Sequence, residues 1–176
     1  MRVATAIFVA IFSLAQAKAY NETYNETSIQ PDYYEAIHQA EFKLAETLDT
    51  KNYSGLGEVM TKDVVYDSRP LGAYGGLSEG LENTIANIKA AFGDAMNAHY
   101  VSNALIEPRG KDSAYVVTYL TWSRWDPAAL DDPKKTFRIY ERCDDLFVID
   151  DGKWKLKYSL VTQLGPKPES PYFAPA

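Results

Sequence analysis

Apolar residues recur along this chain first with the period of a helix and then with the period of a strand. Tyr33, Ile37, Ala40, Leu44 and Leu48 follow one another at spacings of 4, 3, 4 and 4, a single stripe on a helix. Asp32 with Glu35 three residues on, just after Pro31, reads as its N-cap, and its end is predicted near Asp49 to Asn52. A second, shorter helix is predicted from Ser54 to Met60, with Leu56, Val59 and Met60 inward. Val64 to Asp67 is a short β-prone piece, and Arg69 to Gly76, with one Pro and three Gly, reads as a loop. Ser78 is expected to cap a third helix in which Leu81, Ile85, Ile88, Phe92 and Met96 form the stripe.

From there the period falls to two. His99–Ile106, Ser113–Trp125, Thr136–Ile149 and Lys153–Leu164 read as strands, the outer pairs joined by Pro108-Arg109-Gly110 and Asp150-Asp151-Gly152. Helices first and a long antiparallel meander last predict an α+β domain, a cone-shaped barrel in which three N-terminal helices pack on one curved sheet. Strands this long must twist and bend, and a bent sheet closed by helices encloses a cavity.

The ends read differently. Arg2, the apolar run Val3 to Leu14 and the small residues of Ala15-Gln16-Ala17 and Ala17-Lys18-Ala19 have the form of a secretory signal peptide over residues 1–19. Residues 20–31 read as a solvated arm, because Tyr20-Asn21-Glu22-Thr23 is repeated as Tyr24-Asn25-Glu26-Thr27 and places acceptor triplets at Asn21 and Asn25. Asn52-Tyr53-Ser54 is a third. The chain is therefore expected to be a secreted or lumenal glycoprotein, clear of the membrane once cleaved. The core domain spans 32–165, and residues 166–176, with four prolines in eleven residues, form a tail.

Composition narrows the function. The 176 residues carry a net charge of -6, with a pI near 4.9, and an acidic surface repels nucleic acid. The single cysteine, Cys143, excludes an internal disulfide and reads as a small core residue. His38 and His99 stand alone, without the spacing of a metal site, and His38 lies one position off the helical stripe, facing solvent. No phosphate loop or nucleophile elbow is present, so the economical site has no metal and no cofactor. The 13 Tyr, 7 Phe and 3 Trp concentrate on the two central strands and the elements expected to face them. Tyr53, Tyr66, Tyr119, Trp122 and Tyr140 are the candidate ligand contacts, although alternation puts Tyr119 and Trp122 on opposite faces.

Three stretches carry a family resemblance. Leu48-Asp49-Thr50-Lys51-Asn52-Tyr53-Ser54-Gly55-Leu56, followed by Met60 to Asp67, and Tyr140-Glu141-Arg142-Cys143-Asp144-Asp145 leading to Asp151-Gly152-Lys153-Trp154-Lys155-Leu156, resemble the SnoaL-like group of the nuclear-transport-factor-two-like superfamily. His99-Tyr100-Val101-Ser102-Asn103 and the hairpin after it resemble the same group. The resemblance covers roughly residues 32 to 165, and it implies a cone-shaped fold, a homodimer through the outer sheet face and no single activity, since the superfamily holds dehydratases, isomerases, cyclases and non-enzymes.

The resemblance also nominates residues. Asp67 falls within one position of the general base of the ketosteroid isomerases, and Asp144 lies where those isomerases keep a protonated aspartic acid. His99 matches one histidine of the scytalone dehydratases, and Asp49 matches an aspartate behind a histidine in the same enzymes. Their second histidine is replaced here by about Thr118, and their serine and asparagine by about Glu141 and Cys143. Each nominee has an ordinary alternative: a buried or strand-edge histidine for His99, a strand-end acid bonded to the Ser68 to Leu71 turn for Asp67, a solvent-facing acid for Asp144 and a turn former for Asp49. The expectation is an acid–base lyase or isomerase of secondary metabolism, a dehydratase, isomerase or cyclase on a small polyketide- or terpenoid-like substrate. The alternative is a non-catalytic secreted binding protein or effector holding a hydrophobic small molecule.

Overall fold

The computed structural model of the chain describes residues 31–165, so the proposed signal peptide, the Asn21 and Asn25 triplets and the proline-rich tail lie outside the described residues. Helix α1 (Pro31–Asp49) leads into a 3-10 turn (Tyr53–Glu58), strand β1 (Met60–Asp67), a second 3-10 turn (Arg69–Tyr74), the short strand β2 (Leu77–Glu79) and helix α2 (Leu81–Phe92). Four long strands follow: β3 (Met96–Pro108), β4 (Ser113–Trp125), β5 (Thr136–Asp150) and β6 (Lys153–Gln163). Among the described residues four helical segments stand before them, rather than the three expected.

The differences have local causes. Gly55 and Gly57 weaken the second helix to a single 3-10 turn, capped by the Asn52 side chain, which accepts from the Gly55 amide. Ser78 is a buried strand residue, not a helix cap: β2 pairs with β1, Gly80 takes the capping position with φ 81°, and the Ser78 hydroxyl accepts instead from Asn87. Met96 opens β3 and is exposed, because Gly93 ends α2 one turn earlier than the apolar stripe suggested. The side chain of Asp32 lies outside the described residues.

The sheet has six strands in the order β2-β1-β6-β5-β4-β3, antiparallel throughout except for the parallel β1·β6 pair. Register shifts between Val101 and Asn103 in β3 and between Leu146 and Phe147 in β5 mark the irregularities that bend long strands. Asp151 (φ 52°) and Gly152 (φ 72°) turn β5 into β6, the two positive-φ positions of a tight hairpin turn.

The inner face follows from parity. Ala114, Val116, Thr118 and Trp122 of β4, and Phe137, Ile139, Glu141, Cys143, Asp145 and Phe147 of β5, are buried. Ile37, Leu48, Leu56, Val64, Ile88 and Phe92 complete the apolar cluster. Cys143 is buried and unpaired, as a small core residue should be, and His38 is exposed.

Candidate functional site

The end of α1 and the start of β3 meet at one polar contact. Asp49 lies in the last turn of α1, where the chain must stop being helical, and His99 lies three residues into β3. The His99 backbone amide donates to Asp49 Oδ2 at 2.9 Å, and the ring Nδ1 lies 2.5 Å from Asp49 Oδ1. A carboxylate only accepts, so the ring presents Nδ1–H to it, and Nε2 has no partner among the described residues. Phe92 and Trp122 flank the imidazole, with ring centroids 6.0 and 6.2 Å away, and the Trp122 indole is parallel to it within 13°.

His99 lines a cavity of ≈ 350 Å³, with Trp122, Phe92, Tyr66, Leu48 and Glu141 among its walls. The volume is within the range of small-molecule sites. The Ser68–Gly76 loop forms part of its rim and is tied at the base, where the Ser68 amide donates to the Gly76 carbonyl at 2.8 Å. A second compartment of ≈ 50 Å³ shares Leu48, Tyr66, His99 and Glu141 with the first and continues inward to Glu41, Thr118, Cys143, Asp145 and Ser159.

Three acids on this inner path were not singled out from sequence. Glu141 is 4% exposed and has no hydrogen-bond partner among the described residues; burial pushes its carboxyl up to about 8, so at neutral pH it holds its proton. Burial likewise raises Asp145 to about 7, against the opposing effect of a Ser159 hydroxyl. Glu41, on α1, accepts from the Thr118 hydroxyl, and burial again moves its carboxyl upward. Burial also raises the Tyr66 phenol well above its ordinary value and the Cys143 thiol with it, so that thiol is a poor nucleophile.

The nominated residues divide between the two sides of the sheet. His99, Asp49, Tyr66 and Trp122 come together. Asp144 does not: even-numbered positions of β5 face outward, and Asp144 accepts from Arg142 Nε at 2.8 Å and Nη2 at 2.6 Å and from the Tyr115 hydroxyl, contacts that hold its carboxyl below the usual range. The inward place belongs to Asp145. Asp67 is buried at the end of β1 but is taken up by Arg69, whose Nε (2.9 Å), Nη2 (2.6 Å) and amide (3.1 Å) all donate to it, and the guanidinium lowers its pKa. It is absent from the walls of both compartments. Tyr119 and Tyr140 are outward-facing and 43% and 54% exposed, correcting their expected place at the ligand. Tyr53 packs on the core with the Lys89 ammonium 5.1 Å above its ring, away from the cavity walls. Asn52 is exposed, and the Ser54 hydroxyl donates to its side chain at 3.0 Å.

Comparison with known proteins fits this architecture. Kfla4162 from Kribbella flavida superposes with a TM-score of 0.69 at 20% identity, over 81% of this chain and 97% of that one. A candidate scytalone dehydratase from Novosphingobium aromaticivorans superposes at 0.64 and 19% identity, over 75% and 84%. A type 2 hexachlorocyclohexane dehydrochlorinase superposes at 0.63 and 14% identity, over 78% and 89%. No curated protein sequence matches the chain. Likeness at these identities establishes the fold, the cone of the nuclear-transport-factor-two-like proteins. The SnoaL-like domain matches residues 32–159, and the chain belongs to that family.

Proposed function

We propose that this protein is an acid–base enzyme, a lyase or isomerase that acts on a small hydrophobic, oxygenated substrate of polyketide or terpenoid type. One observation carries the reading: a histidine oriented by a carboxylate and a carboxyl that holds its proton at neutral pH line the same apolar cavity. His99 Nε2 is the base. It removes a proton from carbon next to a carbonyl, and Asp49 stabilises the imidazolium that forms. Glu141 is the acid. In an elimination it gives its proton to the departing hydroxyl, which leaves as water; the proton on His99 then returns to Glu141, so substrate yields alkene and water with the enzyme unchanged. In an isomerisation Glu141 instead donates to the carbonyl oxygen as the enol forms; the His99 imidazolium then gives its proton to a different carbon of the enol while the enol hydroxyl returns its proton to Glu141, so the product is an isomer and the enzyme is unchanged. Both proton-transfer groups belong to the chain, so the reading needs no cofactor. Tyr66 and Trp122 shape the pocket. Relatives whose names include a candidate scytalone dehydratase and a dehydrochlorinase, both named for eliminations, support the reaction class.

The reading includes export of the chain through residues 1–19, with glycans at Asn21, Asn25 and Asn52, and a homodimer formed through the outer sheet face, where Tyr100, Leu105 and Tyr140 are exposed. Sedimentation of the mature protein as a monomer at micromolar concentration contradicts the dimer.

The test is turnover of a panel of β-hydroxyketones, followed by the ultraviolet absorbance of the enone product, for the wild type, His99→Ala and Glu141→Gln. The enzyme reading predicts turnover that falls at least about 100-fold in each variant. Ligands that bind in the cavity without turning over, in the wild type as in the variants, overturn it in favour of a binding protein.

A further inference from the structure

The inner compartment is rich in carboxyl groups. Glu41, Glu141 and Asp145, each less than 8% exposed, line it together with the Tyr66 phenol, the His99 ring and the Cys143 thiol, while its two aliphatic hydroxyls are already engaged, Thr118 with Glu41 and Ser159 with Asp145. Neither Lys nor Arg lines it. Among the described residues Glu141 has no hydrogen-bond partner, and Asp145 Oδ1 is buried without one. A buried acceptor left without a hydrogen bond is costly, so the Asp145 oxygen favours an occupant that donates. Among the described residues no three such side chains are placed to hold one metal ion. The space, ≈ 50 Å³, is several times the roughly 10–15 Å³ that one water needs, and it shares Glu141, Tyr66 and His99 with the wall of the larger cavity.

We propose that the inner compartment is a specificity subsite for a protonated amine, carried on a ring-bearing molecule whose apolar part lies between Trp122, Phe92 and Tyr66 while its ammonium sits against Asp145, beside Glu41. A hydroxyl brings one donor and no charge. An ammonium brings three donors and a positive charge that favours the ionised form of Asp145, and a charge-assisted hydrogen bond is about twice as strong as a neutral one. The subsite rests on the cavity being a binding site and narrows its substrate class to oxygenated ring molecules that also carry an amine.

Calorimetric binding of 2-phenylethylamine and of its uncharged counterpart 2-phenylethanol, to the wild type and to Asp145→Asn and Glu41→Gln, tests it. The wild type is expected to hold the amine at least about tenfold more tightly than the alcohol. Asp145→Asn brings that ratio below about threefold and leaves the alcohol's affinity unchanged, and Glu41→Gln lowers the ratio in the same direction. Equal affinities in the wild type, or a ratio unchanged in both variants, overturn the subsite while leaving the acid–base reading standing. Binding of neither probe overturns the subsite and the cavity's role together. If Asp145→Asn does not fold, as judged by circular dichroism, the Glu41→Gln ratio alone decides.

Discussion

His99 and Asp49, fifty positions apart, are joined twice: the carboxylate of Asp49 takes both the backbone amide and the ring Nδ1–H of His99, at 2.9 and 2.5 Å. One contact fixes where the strand begins relative to the helix end. The other fixes which ring nitrogen carries the proton, and so which one faces the cavity as a base.

Asp49→Asn is expected to leave the fold intact and to lower kcat by about 100-fold or more, because an amide can donate to Nδ1 and reverse the tautomer. Single-turnover kinetics with the substrate found in the panel measures it. A change under about threefold would mean that the contact only terminates the helix.

The pH profile should turn on Glu141. It acts as an acid only while protonated, so kcat falls as pH rises through about 8. Stability carries the same sign. The folded pKa stands above the ordinary 4.5, the native state holds a proton that the unfolded state has lost, and stability declines by about 1.4 kcal/mol per pH unit between about 4.5 and 8. Glu141→Gln removes that slope, raising Tm at pH 8 far more than at pH 5, while activity is lost. Thermal melts at the two pH values check it.

The outward acid should be dispensable. Asp144→Asn breaks a partly exposed ion pair with Arg142, costing at most about 1 kcal/mol, and leaves kcat within about twofold. A 100-fold loss on this substitution would put the chemistry on the other face of the sheet.

Gly75 is where the rim loop cannot take a side chain: a Cβ there would lie 1.7 Å from the Ser68 carbonyl oxygen. Gly75→Ala must open the loop, with KM rising several-fold and stability falling by about 1–3 kcal/mol. Unchanged KM would show that the loop does not bound the bound substrate.

Periodicity placed the strands to within a few residues, because period two is set by burial on a single face and the turn residues punctuate it. It erred around Ser54 to Ser78, where short elements are held by pairing with distant strands rather than by their own propensity. The dyad was visible only through the family resemblance, since nothing local ties Asp49 to His99. The buried acids had a signal. Glu41 stands four residues after Ile37 and three before Leu44, on the apolar stripe itself, and Glu141 and Asp145 share the parity of Cys143, already read as a core residue. A resemblance that pointed to Asp144 carried more weight than a parity that pointed one residue further on.

A proton-holding acid and a tautomer-fixed base face one cavity, and carbon-13 and nitrogen-15 NMR reads both groups. The expected result is a Glu141 carboxyl midpoint near 8, assigned by its loss in Glu141→Gln, and the Nδ1–H tautomer of His99. A Glu141 midpoint between about 4 and 5, or a neutral His99 protonated on Nε2, would contradict it.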